Sequence, residues 1–255
     1  MIPALSGRTV LVTRPRHQAA ALSRAIREAG GEAWEFPALQ IEAVPPEALI
    51  AAHVALPAAE IMIFISPNAA RYGVAALRAA GHALPDGAVF AVGPGTAQAL
   101  RAEGVADVIT PAGYDSEAVL ALPQLQAVAG KRVTLVRGVG GRALLADTLR
   151  ARGADVRFLE CYRRTCPRAD ATALLRRWHG GGIDAVTVAS AETLHNLASM
   201  LGEAGRPVLL RTPLFAPHDK IAEAARQFGI ADVVATAGGD AGLVAGLINW
   251  FRNTR

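Results

Sequence analysis

Cysteine is scarce in this chain. Cys161 and Cys166 are the only two in 255 residues, with Tyr162 to Thr165 between them and no histidine pair nearby. That is neither a redox nor a zinc spacing, so a disulfide scaffold is excluded and two reduced thiols in a cytoplasmic protein are expected. Lysine is scarcer relative to arginine, occurring only at Lys131 and Lys220. No basic run appears, aromatics make up 5% and no helix-turn-helix signature is present, so nucleic-acid binding is not expected. No apolar stretch reaches spanning length, and the opening segment leads straight into a strand without a secretory signal, so no membrane association is expected. His17, His53, His82, His179, His195 and His218 are scattered without an i, i+4 pair, which speaks against a metal site. Gly93-x-Gly95 lacks the third glycine and the acidic partner of a dinucleotide fingerprint. Gly138-x-Gly140-Gly141-Arg142 is no closer, and no Walker lysine follows either, so no nucleotide cofactor is expected. Ser190 has no base beside it, and no hydrolase triad or nucleophile elbow is visible.

What is present is duplication. Gly104-Val-Ala-Asp-Val108 returns as Gly229-Ile-Ala-Asp-Val233, an offset of 229 − 104 = 125. Ala112-Gly-Tyr-Asp115 returns as Ala237-Gly-Gly-Asp240, Phe90-Ala91 as Phe215-Ala216, and Ser66 as Ser190. Val10-Leu-Val-Thr-Arg14 matches Val133-Thr-Leu-Val-Arg137. One repeat of half the chain implies two similar domains, and the cleft between two such domains is where function is expected. Hydrophobic residues at 52% suffice for a core in each. The net charge of +4 favours an anionic ligand.

Short β runs alternate with amphipathic helices. Expected strands are 9–13, 61–65, 89–92, 108–110, 133–136, 185–189, 214–216 and 233–235. Most are continuous apolar runs, as parallel strands buried on both faces require. Glycines at 30, 81, 104, 153 and 229 end the intervening helices, and Ser66-Pro67 reads as an N-cap with proline at the first helical position. The alternation predicts two doubly wound parallel sheets. The stretches 33–44 and 155–165 break the pattern, being long, polar and followed by proline. They are expected to be paired crossovers, so that the first βα unit packs with the second half and the Val133 strand with the first.

Ligands of open α/β sheets bind beyond the carboxyl ends of the strands. The residues there are Thr13, Arg14, Arg16 and His17, then Ser66 and Asn68, then Gly93 and Thr96, then Tyr114, Asp115 and Ser116. Arg137, Gly138 and Arg142 follow, and the second half adds Ser190, His218, Lys220 and Asp240. Helix N-termini bind anions through free N–H groups and the dipole, and arginine adds a two-pronged carboxylate contact. Plainer roles stand beside these: Ser66, Ser116 and Ser190 as helix caps, and Arg14 and Arg137 as surface charge. Tyr162, in Glu160-Cys-Tyr-Arg-Arg164, could donate a proton to a leaving oxygen or simply pack the crossover pair.

The chain resembles uroporphyrinogen-III synthases. The resemblance rests on Val-Thr-Arg14-Pro, Phe64-Ile-Ser66-Pro-Asn68-Ala, Ala91-Val-Gly93-Pro-Gly-Thr96-Ala and Asp115-Ser116-Glu117. Leu135-Val-Arg137-Gly138 with Gly141-Arg142, and Cys161-Tyr162-Arg163-Arg164, complete it. It runs over nearly the whole chain in the family's order. It implies two flavodoxin-like doubly wound domains joined by a two-stranded β-ladder, one from 1–37 and 166–255, the other from 47–155, with linkers at 38–46 and 156–165. It implies cyclisation of hydroxymethylbilane to uroporphyrinogen III, with loss of water and inversion of ring D, without a cofactor; a monomer is expected because nothing in the sequence marks an interface. The implied partners are the linear tetrapyrrole substrate and, transiently, the enzyme that makes it. The family's tyrosine falls on Tyr162 and its hydroxyl positions on Ser66, Thr96 and Ser190. Asn68, Gly93, Ser116, Arg14, Arg137, Gly138, His218 and Lys220 complete the expected substrate contacts. One departure is the turn Ala216-Pro-His218-Asp-Lys220-Ile-Ala222, where relatives carry Gly-x-x-Thr-Ala. The competing reading is a bilobal α/β protein that binds a small anion without catalysis.

Overall fold

A computed structural model describes the chain except residues 1, 2, 46, 48, 50–58, 82–86, 114, 142 and 255. It separates into two compact units, 1–40 with 165–255 and 41–164. The first unit contains β1 (Thr9–Val12), α1 (Arg16–Glu28) and β2 (Glu32–Glu35). β3 (Gln40–Ala43) leads into the second unit, which continues with β4 (Ile61–Phe64), α2 (Pro67–Ala79), β5 (Ala88–Ala91) and α3 (Pro94–Ala102). After these come α4 (Ser116–Leu120), β6 (Arg132–Gly138), α5 (Leu144–Ala151) and β7 (Asp155–Thr165). The chain then returns to the first unit through α6 (Thr172–His179), β8 (Ala185–Thr187) and α7 (Ala191–Arg211). β9 (Leu214–Ala216), α8 (Asp219–Phe228), β10 (Val233–Ala235) and α9 (Gly239–Asn253) complete it.

The first unit's sheet runs β10-β9-β8-β1-β2, and its pairings are parallel. Numbered along the chain within that unit, this is the 2-1-3-4-5 order of a flavodoxin-like sheet. The second unit's sheet runs β3-β7-β6-β4-β5, with β7, β6, β4 and β5 parallel. Counted from β6, these four strands repeat the start of the same order, 2-1-3-4. The Thr9 strand therefore lies in the sheet of the second half, and the Val133 strand in that of the first.

Each sheet is buried on both faces, which is why its strands read as apolar runs. In the first unit Leu11, Val186 and Leu214 pack under α6, α7 and α8, while Val10, Val12 and Phe215 pack under α1 and α9. The second unit repeats the alternation: Met62 and Phe64 belong to one core, Ile61 and Ile63 to the other.

Two expectations are corrected. The stretch 33–44 is not a single crossover. Its start belongs to β2, paired with β1, and its end to β3, paired with β7 in the other sheet. Pro37 lies between them, where the chain leaves the first ladder. The expected strand 108–110 shrinks to one bridge, in which Ile109 exchanges bonds with Val89 and Ala91 around Phe90. Pro111 follows and has no N–H with which to extend the ladder.

Helix termination follows the glycines. α8 stops at Gly229, which takes φ 104, a left-handed conformation open to glycine at little cost. α7 is two helical segments interrupted at Gly202, whose φ of 60 and ψ of −164 break the spiral.

Candidate active site

In both sheets the strand order reverses beside the first strand of the repeat, between β1 and β8 in one unit and between β6 and β4 in the other. Ligands of open α/β sheets generally bind outside the carboxyl ends of strands at such a switch point, which singles out the residues there. They are Arg14 and Ser190 in the first unit, and Arg137, Gly138 and Ser66 in the second. The duplicated arginine and serine motifs thus mark the two switch points.

In the second unit Ser66 is the N-cap of α2, its Oγ accepting the Ala69 N–H at 3.0 Å. The same oxygen lies 3.1 Å from the phenolic oxygen of Tyr162. Tyr162 lies within the core of the second unit, consistent with packing as well as with a directed hydroxyl. It is 3% exposed, and its ring packs on Tyr72 with centroids 5.9 Å apart. Tyr72 is fixed in turn by its own hydroxyl, which donates to the Ile41 carbonyl at 3.2 Å. Tyr162 thus reaches the carboxyl edge from inside the core, with only its oxygen directed at Ser66. Thr96 is buried in the first turn of α3, directly after Gly95, whose position borders Pro67 of α2. Gly93 caps α3 in an extended conformation, and Asn68 is half-buried in the first turn of α2.

Neither predicted arginine is unoccupied. Arg137 is 8% exposed, with Nε 3.4 Å from a Glu160 carboxylate oxygen and donating to the Gly138 carbonyl at 3.2 Å. Its guanidinium lies 4.6 Å over the Phe158 ring. In the first unit Arg14 forms an ion pair with Asp240, in the first turn of α9. Ser190 caps α7 as Ser66 caps α2, accepting the Thr193 N–H at 3.1 Å and sharing a 2.9 Å bond with the Thr193 hydroxyl. His218 occupies the N-cap of α8, as Gly93 does in α3, but its side chain makes no capping bond and stands exposed beside Gly238. Lys220 is exposed in the same turn.

Ser116 is corrected. The cap of α4 is Asp115, whose carboxylate accepts the Ala118 N–H at 2.8 Å, and Ser116 is the first helical residue. Tyr114 and Arg142, expected nearby, lie outside the described residues, as do Pro46, His53 and His82. Sequence reasoning missed Asp240 as the partner of Arg14, although the repeat pairs it with Asp115. It also missed Tyr72, whose signal is one aromatic on the inner face of α2.

The two cysteines differ. Cys161 is buried, and burial pushes its thiol pKa up to about 12. Cys166 is exposed. A neutral-pH alkylating reagent is therefore expected to modify Cys166 alone in the folded protein and both after unfolding, as intact-mass measurement will show. Two modifications under native conditions would contradict the burial of Cys161.

Two parallel α/β units, each with polar residues and helix N-termini at the carboxyl ends of its strands, define a two-domain doubly wound α/β protein. Comparison with known families is more specific. Residues 20–245 match the family described as Uroporphyrinogen-III synthase HemD. The uroporphyrinogen-III synthase of Salmonella typhimurium is 36% identical over 229 residues, covering 88% of this chain and 93% of that protein. That of Escherichia coli is 34% identical over 231 residues, with the same two coverages. Among solved structures, a mutant uroporphyrinogen III synthase from Thermus thermophilus superposes with a TM-score of 0.62 at 21% identity, covering 97% of this chain and 100% of that one. The chain belongs to the uroporphyrinogen-III synthase family.

Proposed function

We propose that this protein cyclises hydroxymethylbilane to uroporphyrinogen III, with loss of water and inversion of ring D. We further propose that the Tyr162–Ser66 pair assists departure of the hydroxyl group. Family membership carries the first statement and argues against a binding protein without catalysis. The 3.1 Å contact between two hydroxyl oxygens at a switch point supports the second.

The Ser66 oxygen already accepts the Ala69 N–H. Accepting the Tyr162 O–H as well occupies its second lone pair and leaves its own proton free to point outward. A chain of this kind polarises each member, so Ser66 becomes a stronger donor toward the departing hydroxyl. As the C–O bond breaks, the pyrrole nitrogen supplies the electron pair. The proton passes from Ser66 to the leaving oxygen while the Tyr162 proton moves to Ser66, and water departs. Closure of the ring later releases a proton from carbon, which restores the phenol. The net change is loss of one water.

Little acid strength is required, because the bilane also closes unaided to the non-inverted isomer. The protein's task is selection of a shape. Favouring the inverted closure about a thousandfold takes roughly 4 kcal/mol of differential transition-state stabilisation. The substrate's carboxylates are the handles. In this reading Arg14, Ser190, His218 and Lys220 of the first unit, and Asn68, Gly93, Thr96, Ser116 and Arg137 of the second, offer the substrate charge or helix N-termini, and Gly138 offers backbone at the end of β6. Transient delivery from the enzyme that makes hydroxymethylbilane belongs to the same proposal, since an unstable substrate gains from a short path.

The test is to mix purified protein with freshly prepared hydroxymethylbilane and separate the oxidised porphyrins. Type III product is expected with the protein and type I without it. Type I in both tubes would return the protein to the binding class.

A further inference from the structure

The register of β7 against β6 breaks beside the tyrosine. Arg137 faces Glu160, but the next residue, Gly138, faces Tyr162. Cys161 is thus an extra residue, and the pair carries a β-bulge. A regular strand sends successive side chains to opposite faces. From Leu159 and Cys161, strict alternation would send Tyr162 to the other face, with Glu160. Instead Leu159, Cys161 and Tyr162 all lie in one core cluster. The bulge turns the phenol onto the face where α2 begins and Ser66 waits. Bulges re-aim side chains in this way next to active sites.

Turning the ring needs space, and Gly138 supplies it. A methyl group at Gly138 would lie 2.7 Å from both Cε2 and Cζ of Tyr162 and 3.1 Å from its oxygen. Gly138 does not take the left-handed conformation that would by itself call for glycine. Its missing side chain answers to the tyrosine. Two anchors hold the bulge: the Val139 N–H donates to the Tyr162 carbonyl at 2.8 Å, and the Cys161 thiol reaches the Arg137 carbonyl at 3.5 Å.

We propose that Gly138 is a positioning residue: together with the bulge at Cys161, it opens the slot that aims the Tyr162 hydroxyl at Ser66. The proposal rests on the proton-donating role of Tyr162 and assigns Gly138 an action through that phenol. Carbon atoms pack at about 3.5–4.0 Å, so a methyl at Gly138 must displace the ring by about 1 Å. The ring is also packed by Tyr72, with centroids 5.9 Å apart, so its surroundings already hold it. Misplacement on that scale is enough to cost up to about 100-fold in rate.

The experiment is a double-mutant cycle with Gly138→Ala, Tyr162→Phe and the pair, reading kcat, KM and melting temperature. Gly138→Ala is expected to lower kcat at least about tenfold with KM within about twofold. In the Tyr162→Phe background it should lower kcat no further, because the hydroxyl it misplaces is already gone. A purely structural role would multiply the two losses, and that result overturns the proposal. So does a Gly138→Ala enzyme with unchanged kcat while Tyr162→Phe is impaired, which removes the positioning role alone. Unchanged kcat in Tyr162→Phe removes the donor role on which it stands. If Gly138→Ala does not fold, Tyr72→Leu takes its place in the cycle. It removes the other aromatic ring packed on Tyr162, and its loss of kcat should likewise vanish without the phenol.

Discussion

Tyr162→Phe is expected to lower kcat about 100-fold and to leave KM within about twofold, the signature of an interaction made in the transition state and not in substrate binding. The variant keeps the ring, so packing against Tyr72 and the bulged strand stays in place. Only the 3.1 Å contact with Ser66 is lost. Ser66 then keeps one donor, the Ala69 N–H, and its own proton is less strongly directed outward. Steady-state kinetics on freshly generated substrate checks this. An unchanged kcat would leave Tyr162 as a packing residue.

The second large effect concerns Arg14. Asp240 occupies its guanidinium, and under the proposed role of Arg14 it would have to share or release it to a substrate carboxylate. Arg14→Gln is expected to raise KM about tenfold, the factor for losing ~1.4 kcal/mol from a charge-assisted hydrogen bond. Asp240→Asn is expected to do the opposite, lowering KM about threefold. That factor corresponds to removing a competing ion pair of ~0.7 kcal/mol. The two signs separate substrate binding from a structural role, because a purely structural pair would make both variants worse. The steps are modest since both side chains are partly solvated, and they should shrink further in high salt.

The fold was legible because its strands are apolar on both faces and its helices end at glycines that the repeat places in register. The repeat also located the switch points, since Arg14 and Arg137 follow equivalent strands, and so do Ser66 and Ser190. What escaped the sequence was contact between distant segments. Arg14 looks like a free cation until Asp240, far along the chain, is brought beside it. Tyr162 reads equally as a proton donor or as packing for the crossover pair, because the one-residue shift in register beside it leaves no mark in hydrophobic periodicity. Gly138 reads as a substrate contact at a strand end, although a side chain there would meet the Tyr162 ring. Ser116 shows a smaller limit: adjacent Asp and Ser are both good caps, and the backbone conformation that chooses Asp115 is not written in residue type.

The central claim is that held shape, and not acid strength, decides which macrocycle forms. It is tested most directly by the isomer made by Tyr162→Phe. The account predicts that the slowed, protein-dependent fraction of product remains type III, once the spontaneous type I background measured without protein is subtracted. A variant whose protein-dependent product shifted to type I would contradict it, because the phenol would then be choosing the isomer as well as speeding the departure of water.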